Sequence, residues 1–262
     1  MEFDLDLHVH THLSPCGQDE MVPAEILRTA VERGIAKLAI TDHLYSFSDL
    51  SAFDEIRSEF EEAKSRLDSS IEVFFGCEVE IMAPGRTAGS PELAERMDFV
   101  MAGATHFHNR GITDFPEGMD DHETAHYILS TFEYAAGLPW VDVIAHPFFV
   151  IPRVCSGEVV GLLTNSELTP ALELARDNNV ALEISRRILH TPEQLVFSAR
   201  FYPLCKEVGL KLTMGSDAHR LEDVGNVRLL EPFINELGLT EDDFRLPCHR
   251  LQQSCSMTSR RT

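Results

Sequence analysis

The chain has 262 residues, 44% of them hydrophobic, enough for one large core and leaving little room for a second full domain. Lys and Arg total 22 against 43 Asp and Glu, and the resulting formal charge of -21 repels polyanions and argues against broad nucleic-acid binding. The cysteines at 16, 77, 155, 205, 248 and 255 include no CxxC pair, which excludes a zinc ribbon or thioredoxin motif; without a basic apolar leader or a membrane-length apolar run, a cytoplasmic protein with reduced thiols and no membrane partner is expected.

Seven strand-like runs are predicted, at 3–10, 37–42, 71–80, 98–105, 141–146, 180–185 and 210–216. Helical patterns separate them. After the first run come Ile26, Ala30 and Val31 before Gly34, and after the second Phe53, Ile56, Phe60, Ala63 and Leu67. Ile128, Leu129, Phe132 and Ala136 then precede Gly137, and Leu172 and Ala175 follow. Spacings of three and four make one apolar face, and the two glycines suit helix ends. Pro203 and Pro232 should start or kink later helices. Repeated strand-helix units imply a mainly parallel α/β sheet. The polar residues 253–262 read as a C-terminal tail, leaving 1–252 as a single domain.

Chemistry-bearing residues fall where these strands end: Asp6-Leu7-His8-Val9-His10, Thr41-Asp42-His43, Gly76-Cys77-Glu78, Thr105-His106, Ala145-His146-Pro147 and Gly215-Ser216-Asp217-Ala218-His219. His8 and His10 are two apart, as are Asp217 and His219, and side chains at i and i+2 of a strand share a face. Imidazole and carboxylate suit divalent zinc, manganese or iron, and Glu78 and Asp217 can bridge neighbouring ions. Ligands drawn from nearly every strand imply a closed barrel, since an open sheet gathers its ligands at one crevice. For the other histidines plainer roles are expected. His12 belongs to a loop, and His122 and His126, at i and i+4 of a helix without a third ligand, to a surface face.

The ordered set Asp-Leu-His-Val-His-Thr, Ile-Thr-Asp-His, strand-end Glu, two spaced strand-end histidines and Gly-Ser-Asp-Ala-His, spread over residues 3 to 220, resembles the PHP (polymerase and histidinol phosphatase) family. The resemblance implies a distorted seven-stranded (β/α)7 TIM-like barrel with two or three divalent ions at its mouth. Carried over, His8, His10, Glu78 and Asp217 would hold the first ion, Glu78, His106 and His146 the second, and His43 and His219 a third. Members resembling histidinol phosphatase often place another histidine six positions after the second HxH histidine, where this chain has Cys16. Cys16, Asp19 and Glu20 are then competing candidates for that third site.

The expected nucleophile is a hydroxide held between ions, with Asp217 also able to accept its proton, because neither G-x-S-x-G nor a P-loop occurs. Arg186 and Arg187 follow the sixth strand run, Arg153 follows His146 by seven residues, and His108 lies in a loop over the mouth. These four are the candidate substrate contacts. Glu183 faces either the barrel or the helices, depending on register. The leading expectation is hydrolysis of a small phosphomonoester, as in histidinol phosphatase. The alternatives are cleavage of a phosphodiester, including the 3′ end of an oligonucleotide, and a PHP domain that binds metal without turnover.

Overall fold

The computed structural model describes residues 3–45 and 48–247, so the tail assigned to 253–262, its boundary, His249, Cys248 and Cys255 lie outside the described residues. Strands and helices alternate along the chain. The strands are β1 (Leu5–Val9), β2 (Lys37–Ile40), β3 (His43–Leu44), β4 (Glu72–Phe75), β5 (Cys77–Ala83), β6 (Arg86–Thr87), β7 (Val100–Gly103), β8 (Val143–Ile144), β9 (Ala181–Ser185) and β10 (Leu212–Gly215). The helices are α1 (Pro23–Glu32), α2 (Leu50–Ser65), α3 (Pro91–Ala94), α4 (Asp121–Ala136), α5 (Glu158–Gly161), α6 (Asn165–Asp177), α7 (Pro192–Val208) and α8 (Glu231–Glu236).

Among the described residues all ladders are parallel except the β5–β6 hairpin. One sheet runs β1-β2-β4 and the other β10-β9-β8-β7-β5-β3. The two sheets meet twice. Between β4 and β5 the chain is interrupted only at Gly76, whose N–H donates to the Ile40 carbonyl at 2.8 Å, so the predicted strand 71–80 appears as two short ladders. At the last residue of β1 and beyond the end of β10, a parallel bridge joins Val9 to Ala218, with the His10 N–H donating to the Ala218 carbonyl at 2.9 Å. Seven mainly parallel strand positions therefore succeed one another with their C-terminal ends together.

Alternation along each strand divides the core in two. Val9, Ile40, Cys77, Val79, Leu182 and Ile184 pack with the helices, while Leu7, Ala39, Phe74, Met101, Val143 and Ala181 form a smaller apolar plug inside the strands. In β1 the register shifts between Asp6 and Val9, a bulge that lets Leu7 join this plug while its neighbour His8 also faces inward above it. The helices show their sequence logic at their ends. Asp120 with Glu123 and Thr164 with Glu167 form capping boxes at α4 and α6. Pro232 lies in the first turn of α8, whereas Pro203 lies inside α7, which continues through it to Val208. Among the described residues no helix is long and apolar enough to cross a membrane.

Candidate metal centre

The strand ends carry His8, His10, His43, Glu78, His106, His146, Asp217 and His219 into one cluster. Glu78 lies on β5 at its centre, fully buried, with no hydrogen bond to either carboxylate oxygen among the described residues. Its oxygens face different neighbours. Oε2 is 3.4 Å from His8 Nε2, 3.6 Å from His10 Nε2 and 3.2 Å from His43 Nδ1, while Oε1 is 3.5 Å from His106 Nε2 and 3.2 Å from His146 Nε2. Asp217 Oδ1 closes the first group, at 3.6 Å from His8 Nε2 and 3.2 Å from His10 Nε2.

Hydrogen bonds behind the imidazoles fix which nitrogens face the cluster. His8 Nδ1 is 2.9 Å from Glu183 Oε1, so its proton sits there and its Nε2 lone pair points at the centre. Ser14 Oγ donates to Asp42 Oδ1 at 2.7 Å and so accepts from His10 Nδ1 at 3.3 Å, aiming the His10 Nε2 lone pair the same way. The two Nε2 atoms are 3.0 Å apart. His106 is held likewise, with Nδ1 2.9 Å from Glu80 and Nε2 3.2 Å from His146 Nε2. Lone pairs converging on a bare buried carboxylate repel one another unless a cation lies among them or a proton is taken up. Donors about 2.1 Å from a tetrahedral ion lie about 3.4 Å from one another, and the separations here bracket that spacing.

The electrostatics show how strongly the groups feel one another. Burial opposes ionisation of Glu78 and Asp217, yet His106, His8 and His43 hold Glu78 well below the usual carboxylate range, and Arg187 with His8 does the same to Asp217. Burial also opposes a charged His8 and His43, but Glu183, Asp217 and Glu78 hold His8 well above its ordinary value, and Glu78 does so for His43. His10 is pushed well down by burial and by His219 and His43.

Two backbone features belong to the same cluster. His146 and Asp217 have φ of +26° and +52°, left-handed conformations that non-glycine residues rarely adopt, and Glu183 Oε2 pins His146 by accepting its N–H at 2.7 Å. At Gly103 an added Cβ would lie 2.6 Å from the His106 ring and 3.0 Å from Glu78 Oε1, so glycine keeps the cradle open.

Three groups of donors lie within 4.8 Å of one another: His8, His10 and Asp217; His43, Glu78 and His106; and His10, His43 and His219. A cavity of about 220 Å³ opens onto them, lined by Cys16, His43, His106, His146, Asp217 and His219 among others. Arg187 also lines it, ion-paired to Asp217 and 5.7 Å above the Phe149 ring. Its neighbour Arg186 does not line it. In the 3-10 turn Arg186–Leu189 that residue is bonded instead to Asp223 at 2.6 Å and the Ser216 carbonyl at 3.1 Å. His108 lines this cavity and a wider one beside it, which Arg153 also borders. Burial, His106 and Arg153 bring the pKa of His108 down to about 4, leaving it neutral at pH 7.

Cys16, Asp19 and Glu20 are all exposed, but of the three only Cys16 lines the cavity. His12 is exposed, with Nδ1 3.3 Å from the Met21 carbonyl, and His126 joins the His122 carbonyl to Glu167 on the surface. Three residues that sequence reasoning left without a role support the centre: Glu80 behind His106 and beside His43 Nδ1, Asp42 behind Ser14, and Glu183 behind His8. For Glu80 a signal existed, since it lies two residues beyond Glu78 on one strand.

Comparison with known proteins agrees with this architecture. The family profile described as PHP domain matches residues 6–187. A "Probable phosphatase" of Thermoanaerobacter sp. (strain X514) is 27% identical over 248 residues, covering 91% of this chain and 89% of that protein. Another "Probable phosphatase", of Vibrio campbellii, is 23% identical over 262 residues, covering 97% and 91%. Among solved structures, the histidinol phosphate phosphatase of Lactococcus lactis subsp. lactis, complexed with zinc, L-histidinol and phosphate, superposes with a TM-score of 0.66 at 18% identity, covering 90% of this chain and 94% of that one.

Proposed function

The chain belongs to the PHP family, and from that premise we propose that it is a metal-dependent phosphoesterase hydrolysing a small phosphomonoester with two or three divalent ions, zinc, manganese or iron. The observation that carries this reading is Glu78: a bare, buried carboxylate whose two oxygens face separate sets of imidazoles, as a bridge between two ions requires. In this reading His8, His10, Glu78 and Asp217 hold the first ion, Glu78, His106 and His146 the second, and His43 and His219 contribute to a third. Such ions supply acidified water and neutralise the charge of a phosphate ester.

The chain's own groups do the rest. Arg187 pairs with the Asp217 carboxylate and presents guanidinium N–H groups to the cavity, where they suit phosphate oxygens. Neutral His108 stands between the two cavities and contacts the leaving group as a hydrogen-bond partner, since at about 4 its pKa is too low for a general acid at pH 7. Arg153 borders the wider cavity and faces the leaving group, whereas Arg186 is engaged by Asp223 and acts on the turn that presents Arg187. The charge of -21 disfavours a polynucleotide diester.

The test is phosphate release from a panel of phosphomonoesters, histidinol phosphate included, by protein loaded with each metal, with dinucleotide diesters followed for their own products. Metal-dependent release that disappears in Asp217→Asn is expected. Silence across the monoesters with metal bound by elemental analysis would sink the reading.

A further inference from the structure

The loop after β1 is tied down on both sides of Cys16. The Ser14 N–H donates to the Thr11 carbonyl at 3.2 Å, the Gly17 N–H to the Ser14 carbonyl at 2.9 Å, and the Gln18 N–H to the carbonyl of His219 at 3.0 Å. Ser14 Oγ accepts from the His43 N–H at 3.0 Å while donating to Asp42. At Gly17 an added Cβ would come within 2.1 Å of the Thr11 carbonyl oxygen, so the turn packs backbone on backbone. The loop is thus fastened to both His43 and His219, and the short side chain between the fastenings lines the same cavity as their rings.

The nitrogens there form a group of their own, with one atom each from His10, His43 and His219 within 4.8 Å of one another. The His43 side chain is 8% exposed, with Nδ1 3.2 Å from Glu78 Oε2 and 3.3 Å from Glu80 Oε1. The geometry points to a sulfur-containing third cation site, in which Cys16, and neither Asp19 nor Glu20, joins His43 and His219. The inference rests on the metal-dependent reading above and deepens it. A thiolate favours zinc, cobalt and cadmium, whereas the carboxylates of Glu78 and Asp217 also accept manganese and iron, so the third site selects softer ions than the other two.

Cobalt titration of the full chain tests this, because thiolate-bound cobalt absorbs in the near ultraviolet and carboxylate- or imidazole-bound cobalt does not. The wild type should show the band as its third equivalent binds. Cys16→Ser should lose both band and equivalent, Cys16→His should keep the equivalent without the band, and Asp19→Asn with Glu20→Gln should change neither. A band that persists in Cys16→Ser, three bound equivalents without a band, or loss of the third equivalent in the Asp19 and Glu20 variant would each overturn the assignment. None of these readouts needs turnover. A protein with the band and no phosphatase activity would refute the proposed function alone, and an active protein with three ions and no band would refute the sulfur site alone.

Discussion

The mouth of the strand ring and the shelf immediately behind it hold the same chemical group under opposite conditions. On the shelf, Asp42 accepts from the Thr11 N–H, the Thr11 hydroxyl and the Ser14 hydroxyl, each at 2.7 Å, and Asp6 accepts from the Ser216 N–H at 2.8 Å and the Gly225 N–H at 2.7 Å. At the mouth Glu78 is as deeply buried and, among the described residues, accepts no hydrogen bond. A buried carboxylate saturated with donors stitches loops together, while a bare one among imidazole lone pairs stores the attraction for a cation. Burial alone does not separate the two roles; the partner count does.

Replacing one member of each region should break the comparison in opposite directions. Glu78→Gln should lower phosphatase turnover by about 10³-fold, the scale of losing one charge-stabilising group, and should cut bound metal while leaving a folded protein. Asp42→Ala, in contrast, leaves three donors unpaired and should cost about 3 kcal/mol of stability, or about 2–4 °C in melting temperature for each kcal/mol. Activity assays, elemental analysis and thermal melts on the two variants decide the matter. A folded Asp42→Ala protein of unchanged melting temperature, or a Glu78→Gln protein that keeps its metal, would erase the distinction.

How much of this was legible in the sequence follows from strand geometry. HxH, the Asp-His after β2 and the strand-end Glu announce themselves because alternation fixes their face, and Glu80 was legible by the same rule. Glu183 was not. Its strand, Ala-Leu-Glu-Ile-Ser, is buried on both faces, so no polar alternation reveals the register; only the Leu212–Leu182 and Val143–Ala181 pairings turn Glu183 inward. Arg186 and Arg187 could not be ranked because they open a 3-10 turn, where adjacent residues point about 120° apart and a single step separates the cavity from Asp223. The bulge in β1, which brings Leu7 and His8 to the same side, leaves no mark in the local sequence.

The shelf also orients the mouth, and weaker substitutions sharpen that link. Glu183→Gln retains the shape but loses the charge that fixes the His8 tautomer. Metal affinity should fall about 10- to 100-fold, read by competition with a chelating dye, and unchanged affinity would make Glu183 a structural residue only. Smaller again, Arg187→Lys keeps the positive charge but not the fork, and should reduce kcat/KM about tenfold, about 1.4 kcal/mol. If kcat/KM were unchanged, Arg187 would do no more than steady Asp217.

The gentlest probe is pH, and it separates the chelated protein from the loaded one by the sign of a slope. Without metal, the folded pKa values of His8, His43 and His106 lie above the ordinary 6.5, so their stabilisation is complete below about pH 6.5 and fades as pH rises through the raised values. Glu78 and Asp217, held below their ordinary 4.5 and 3.8, stabilise above those values and lose their contribution as pH falls through the depressed ones. His10, pushed down, works against its neighbours on the acid side. The chelated protein should therefore be most stable between about pH 4.5 and 6.5 and decline above that window. Ions require neutral imidazoles, so the loaded protein should gain stability over the same rise in pH, as protons cease to compete. Melting temperatures from about pH 5.5 to 8.5, in chelator and in zinc, should diverge by a few degrees. Parallel curves would mean that the imidazoles at the mouth answer to the protein around them and not to a cation.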